Sequence, residues 1–377
     1  MEVYCPICSG RNTAQLLPTF QGRCVTSQMF FCNDLIINNR YCKDCGFIFN
    51  AAGTRGIEST LYTPENWKPK PPVLSFGAKT VSLQERALQN FSQMVPFAPS
   101  GSLLDFGAGT GAFLRAFHQA YPAWELTAME PGGGISSLEN LPLKNIFNGS
   151  YKELDTDERF DAIVVMSVLE HVSDVLDALR WIRKRLKPLG VLYMQHPNFE
   201  AMPGDLLCAD HVNKLTPAHT AALCDHIGLS ALHVRRSGSM FEMVCRRSEA
   251  QPLKPDVEGN IHMAKTCEHA AVKTIEAVNN AVNSARDTGG KAAIFGASPI
   301  GVMSAIMLAC QEKIACFVDE NPNNWGLEQE GIPIVGPDMM ADLGITDIAL
   351  AISPVYWEQV AKKLSQYSVT VHIPILN

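Results

Sequence analysis

Short apolar runs bounded by turn residues alternate with amphipathic stretches through the middle of the chain. Apolar runs of this length read as strands, and recurrence at i, i+3 and i+4 reads as helix. The pattern predicts strands at Ser102–Phe106, Glu125–Met129, Asp161–Met166 and Val191–Gln195, with helices starting at Ala112 and Val175. A helix over about Leu83–Met94 precedes them, and Leu229–Ser237 with Phe241–Arg246 has the form of an antiparallel hairpin closing the edge. Strands alternating with helices are the mark of a doubly wound, mostly parallel α/β sheet.

A second α/β unit follows. The polar stretch Ser248–Asn260, with two prolines, marks a boundary, and Ile275, Val278 and Val282 fall at helical spacing within Ile261–Arg286. Strands are expected at Ala292–Phe295, Ile314–Val318, Ile332–Val335 and Ile348–Ala351, with a helix from Pro299. The twenty uncharged residues Ala292–Gln311 are broken by Gly296, Pro299 and Gly301, so they read as strand, turn and buried helix rather than a membrane span. The first 50 residues read as short strands and turns, and Ala51–Pro72 as a linker or a loop laid over another domain. With 377 residues and about 150 per domain, the expectation is three domains, at 1–60, 61–250 and 251–377.

Hydrophobic residues at 46% and charged residues at 18% are those of a globular enzyme. A net charge of −7 argues against a protein living on phosphate contacts. The twelve cysteines change the picture, because six fall within the first 45 residues and none between positions 46 and 207. MEVYCPICSG has no basic or apolar leader pattern, so a reducing cytoplasm is expected, where clustered thiols bind metal more often than they form disulfides. Cys5-Pro-Ile-Cys8 and Cys42-Lys-Asp-Cys45 are two Cys-x-x-Cys knuckles whose four thiolates suit one structural Zn²⁺. Cys24 and Cys32 match no knuckle and are read as small buried apolar residues.

The first strand runs into Asp105-Phe-Gly107-Ala-Gly109-Thr-Gly111 and then a helix, and Glu130 ends the next strand. Glycines here let backbone approach a ligand, and a carboxylate at the second strand can accept ribose hydroxyls. The D-x-G-x-G-x-G spacing resembles class I S-adenosylmethionine (SAM) methyltransferases rather than dinucleotide enzymes. Phe160–Met166 followed by Leu169-Glu170-His171 is similar to the fourth-strand motif of that superfamily. The resemblance implies a SAM site at Asp105, Gly107, Gly109, Gly111 and Glu130. It puts His171 either in the wall of the pocket or simply packed at a strand end.

Two histidines, His196 and His211, lie in the stretch after the fifth strand, and Asp210 adjoins His211. The whole layout resembles sugar C-methyltransferases acting on nucleotide-linked keto-deoxysugars, which have a zinc-binding N-terminal domain, a central SAM domain and a C-terminal Rossmann-like domain. The C-terminal likeness rests on Phe295-Gly296-Ala297-Ser298-Pro299-Ile300-Gly301, Phe317-Val318-Asp319-Glu320-Asn321-Pro322 and Gly331-Ile332-Pro333-Ile334. Asp210-His211 falls at the Glu-His pair of that family's H-E-H-L-S-Y-F segment, which implies His211 as the base that forms an enolate and Asp210 as its support. The chain departs from the family at Asp210 itself, at Cys208 where the family has tyrosine, and between Tyr62 and Gly77.

The implied reaction transfers a methyl group to carbon of a small-molecule acceptor, nucleotide-linked in that family, with no membrane or nucleic-acid partner. An O- or N-methyltransferase of a natural-product intermediate needs less of His211. A zinc-ribbon RNA methyltransferase would need more basic residues around the knuckles than Arg11, Arg23, Arg40 and Lys43. The loop Gly296-x-Ser298-x-x-Gly301 offers a diphosphate cradle with Asp319 in the ribose position, or an architectural wall for the active site.

Overall fold

A computed structural model describes residues 2–29, 31–33, 35–54, 63, 73–74, 80–81, 83–154 and 156–375. Most of the 51–72 connector and of the 62–77 stretch lies outside the described residues.

The central sheet has seven strands: β1 (Ser102–Phe106), β2 (Glu125–Glu130), β3 (Asn145–Asn148), β4 (Phe160–Met166), β5 (Leu186–Pro197), β6 (Leu229–Ser237) and β7 (Met240–Arg247). Their order is β3-β2-β1-β4-β5-β7-β6. The first five are parallel, and β7 runs antiparallel between β5 and β6. The 2-1 reversal beside β4 is a topological switch point, where open α/β sheets dock ligands at their carboxyl edge. On one face α1 (Leu83–Met94) and α2 (Ala112–Ala120) pack through Phe91, Phe113 and Phe117, with Phe97 edge-on to Phe117 and Trp124. The other face carries α3 (Val175–Arg185) and α4 (Pro217–Ile227).

Helix α5 (Val257–Thr288) starts under an Asp256 cap, whose carboxylate accepts from the Gly259 amide, and stops at left-handed Gly289. It covers a second sheet of β8 (Lys291–Phe295), β9 (Ile314–Val318), β10 (Glu328–Gln329), β11 (Ile332–Val335), β12 (Ile345–Leu350) and β13 (Thr370–His372), in the order β10-β11-β9-β8-β12-β13. Helix α6 (Pro299–Met307) follows β8, so the uncharged stretch is strand, turn and helix. No described helix is long and apolar enough to cross a membrane. The sequence pattern missed β3, β10 and β13. These are short edge strands whose alternation is too brief to show a period.

The N-terminal segment builds a three-stranded sheet from Thr13–Gln15, Asn39–Cys42 and Ile48–Asn50. The span between the knuckles folds into two nested two-residue ladders, Phe20–Gln21 with Ile36–Ile37 and Cys24–Val25 with Phe31–Cys32. Cys24 is fully buried and Cys32 half-buried, and they sit directly opposite one another. The knuckle side, with Phe47 and Phe49, joins the core under α3 and α4. Leu16, Val25 and Leu35 share a core with α5 and α6. The N-terminal segment is therefore a wedge with one side in each of the other two cores.

Candidate active site

The loop after β1 takes shape from its glycines. Gly107, Gly109 and Gly111 all have positive φ (83°, 53° and 73°), a region that L side chains adopt only at a cost. A Cβ on Gly134, beyond β2, would stand 2.1 Å from the Gly109 carbonyl oxygen, so the two backbones touch. Glu130 ties this loop together by accepting the amides of Gly109 (2.7 Å) and Gly132 (2.8 Å). Asp105 is buried with neither carboxylate oxygen partnered, and burial first, then Glu130, raises its pKa to about 8. These residues fit SAM: Asp105 has two oxygens available to a donor, and the Glu130 oxygens have lone pairs left for ribose hydroxyls. Overpacking at such a contact costs about 1–3 kcal/mol, so Gly134→Ala is expected to weaken SAM binding by about ten- to a hundredfold, read by calorimetry. Wild-type affinity in that variant would remove the loop from the cofactor site.

The four knuckle sulfurs also converge. Cys5 and Cys45 lie 3.5 Å apart, Cys8 and Cys42 3.6 Å apart, and all four ligand atoms are within 4.8 Å of one another. Four thiolates at about 2.3 Å around a tetrahedral zinc stand roughly 3.8 Å apart, so the donor set fits that ion. Backbone N–H groups of Ile7 and Asp44 point at Cys5 and Cys42 sulfur, which helps hold negative charge there.

The segment from Asn198 to Thr216 runs between all three parts of the molecule. Its Asn213 bridges Phe49, the Asn50 amide donates to Val212 carbonyl (2.8 Å), and the Lys214 amide donates to Ile48 carbonyl (3.0 Å). Asn39 donates to Leu206 carbonyl at 2.6 Å, and Ala209 donates to Val25 carbonyl at 3.3 Å. From the other side, Gly204 abuts Ile300 of α6, and the Ser353 hydroxyl after β12 donates to Ala201 carbonyl. The carboxyl edge of the second sheet thus faces the segment that leaves the carboxyl end of β5.

Within this segment the partner of His211 is Asp205, not Asp210. His211 Nδ1 is 2.5 Å from Asp205 Oδ1, and both side chains are buried. Asp210 instead accepts the Ser27 amide (2.7 Å) and hydroxyl (2.8 Å) from the N-terminal segment and the Cys208 thiol (3.3 Å). The carboxylate adjacent to His211 in sequence is thus not the one that its Nδ1 meets. The reason is that residues 203–207 form a 3₁₀ turn that brings Asp205 back under His211, while Ser27 draws the neighbouring carboxylate away. Nothing local in the sequence points to Asp205, although an acid at the foot of a Pro-Gly turn is a signal of tight folding back.

His171 lies beside this pair. Its Nδ1 is 3.0 Å from Asp210 carbonyl and 3.5 Å from Asp210 Oδ2, and its ring stands edge-on to His211 with centroids 4.7 Å apart. It thus lies against His211. His196 is fully buried beneath and pairs with Glu170 (2.8 Å). Burial opposes ionisation of Glu170, yet His196, followed by His171 and His211, holds its carboxyl down at about 2. Burial likewise opposes the charge on Asp210, which His171, His211 and the Ser27 bonds hold at about 2. Burial works against a proton on His211, but Cys208 and Asp205 outweigh it, and its pKa lies well above the ordinary value. Burial pushes the Cys208 thiol up to about 12, so the ionised partner of His211 at neutral pH is Asp205.

In the second sheet, Gly296 has φ 112° and closes tightly against Ala351 carbonyl. Asp319 accepts the Asn321 amide (2.7 Å) and the Asn324 side-chain amide (3.0 Å), so it shapes its own turn.

Residues 82–234 match the family model described as a methyltransferase domain. With the 3-2-1-4-5-7-6 sheet and the glycine loop, this defines a class I SAM-dependent methyltransferase fold and domain. The chain is 28% identical over 179 residues to a ubiquinone biosynthesis O-methyltransferase of Rhodopseudomonas palustris (strain TIE-1), covering 43% of this chain and 69% of that protein. A namesake in Histophilus somni (strain 2336) is 40% identical over 65 residues, 17% of this chain and 27% of the relative. Among solved structures, the mitomycin 7-O-methyltransferase MmcR aligns with TM-score 0.38 and 20% identity, over 44% of this chain and 55% of its own, so the chain spans about half of that protein. A 1,6-didemethyltoxoflavin-N1-methyltransferase of Burkholderia thailandensis aligns with TM-score 0.37 and 18% identity, over 44% of this chain and 79% of its own.

Proposed function

We propose that the protein methylates a carbon beside a ketone, in a nucleotide-linked keto-sugar or a related small keto metabolite, through an enolate formed by His211. The observation that carries this reading is the buried Asp205–His211 pair on a segment leaving the carboxyl edge of the methyltransferase sheet. A C–H proton beside a ketone is a weak acid, and removing it needs a base that is oriented and kept from water. Asp205 accepts from Nδ1, which leaves Nε2 to take the proton once the His211 ring is neutral, above its raised pKa, and places the resulting imidazolium charge against a carboxylate. When bound, SAM supplies the electrophilic methyl group.

Cys208 does not take over the oxygen-stabilising part that tyrosine has in the resembling family, because its hydrogen goes to Asp210. Zinc at Cys5, Cys8, Cys42 and Cys45 would hold the wedge together and take no part in methyl transfer. The cradle at Gly296–Ser298 faces the same segment and is the place for the acceptor's nucleotide.

A second reading is favoured by the relatives named as O-methyltransferases: methyl transfer to a hydroxyl, with His211 removing an O–H proton. Incubating the protein with nucleotide ketosugars in heavy water, first without SAM and then with it, separates the two. Deuterium uptake at the carbon beside the ketone, absent in His211→Ala, is the expected result. Methyl transfer to oxygen with no carbon exchange would establish the second reading instead.

A further inference from the structure

Among the described residues, three carboxylates, Asp205, Asp210 and Glu170, are buried around His211, and one ammonium accompanies them. That ammonium belongs to Lys214, which is 1% exposed. Its Nζ donates to the carbonyls of Asp205 (2.5 Å) and His211 (2.8 Å), the two ends of the turn that sets the pair, and lies 3.5 Å from Asp205 Oδ2. A long cation is costly to bury and stays there only when its donors are satisfied and its charge is balanced. Here both conditions are met by the same two residues that form the proton-transfer pair.

We propose that Lys214 is a positioning residue for the His211 pair: it clamps the Asp205–His211 turn by both carbonyls and, by sharing the Asp205 carboxylate, keeps that anion from holding a proton too tightly on His211. The proposal rests on the reading of His211 as the proton-transfer residue. The charged and titratable groups around His211 are Asp205, Cys208, Asp210 and Lys214 on its own segment, and Glu170 and His171 beyond β4, with His196 of β5 behind Glu170. Among these, Lys214 is the amine that contacts the Asp205 carboxylate, and a positive charge there opposes a second one on His211. Its removal leaves Asp205 to His211 alone, so His211 becomes more basic. A base is active only when unprotonated, so the acid limb of the activity profile must move to higher pH.

The test is a titration of the His211 ring by NMR on the full chain labelled in its histidines, with no acceptor present. In Lys214→Gln and Lys214→Met the midpoint is expected to rise by roughly one pH unit or more, with SAM affinity retained as the sign of an intact fold. A midpoint unchanged in a variant that still binds SAM overturns the proposal, since a purely structural lysine would not move it. If neither single variant binds SAM, the double variant Asp205→Asn with Lys214→Gln decides. Recovery of SAM binding when both charges leave together supports charge compensation, and continued failure overturns it. Because the titration needs no ketone, it stands apart from the exchange experiment. Failed exchange with a shifted midpoint would sink the enolate reading and leave Lys214 in its place.

Discussion

His211→Ala is expected to lower kcat by about 10²–10⁴-fold while SAM binding persists, because proton transfer is lost and the glycine loop is untouched. The informative comparison lies between its two acidic neighbours. Asp205→Asn replaces an acceptor that holds Nδ1–H with a group that can donate, which frees the ring to take the wrong tautomer. A loss on the order of 10²–10⁴ in kcat is expected there as well. Asp210→Asn keeps one oxygen for Ser27 and does not touch His211 Nδ1, so its loss should stay within about tenfold. Steady-state kinetics of the three variants checks this, and a heavier loss in Asp210→Asn than in Asp205→Asn would return the supporting role to Asp210. The sign of the pH dependence follows from the same pair. Since the pKa of His211 is held up in the fold, kcat/KM should fall as pH drops below that raised value, and the acid limb should sit above the ordinary histidine range. In Asp205→Asn the limb should move down.

Metal removal is expected to have a comparably large effect by a different route. Structural zinc in small modules contributes about 10–16 kcal/mol of folding free energy, and the N-terminal wedge has only short ladders of its own beside the apolar residues it lends to the two neighbouring cores. That wedge supplies the Ile48 and Asn50 bonds to residues 212 and 214 and the Ser27 bonds to Asp210. Cys42→Ser, or exhaustive chelation, should therefore abolish turnover while SAM binding is reduced far less. The glycine loop takes its hydrogen bonds from Met129, Glu130 and itself. Metal content by mass spectrometry should give one zinc per chain. Amide exchange should show Asn50 and Lys214 losing protection together. Full turnover in a zinc-free chain would separate the wedge from the catalytic segment.

Much of the fold is legible because it obeys short periods. The apolar runs of β1, β4 and β5 and the 3.6-residue recurrence in α5 are local, and buried parallel strands cannot be written in polar residues. Strand β5 extends past its apolar run to Pro197 because antiparallel pairing with β7 continues that far, and back to Leu186 because that residue pairs with Phe160 of β4 across a register shift. The edge strand Asn145–Asn148 escapes, since half of its four residues are asparagine and one neighbour suffices to hold it. The glycine loop with Glu130 and the convergence of the four knuckle cysteines are legible for the same reason: each arrangement needs particular residues at a spacing the backbone imposes.

The sequence by itself determined the methyltransferase sheet, the glycine loop after β1 and the gathering of the four knuckle thiols, because strand period, positive φ and knuckle geometry act over a few residues. Only the tertiary structure decided which acid pairs with His211. Asp205 and Asp210 lie on one irregular segment, where no period tells a side chain which way to turn. Their directions come from Ser27, Ile48 and Asn50, more than 150 residues away in the chain, and from a buried lysine whose charge must be balanced on the spot.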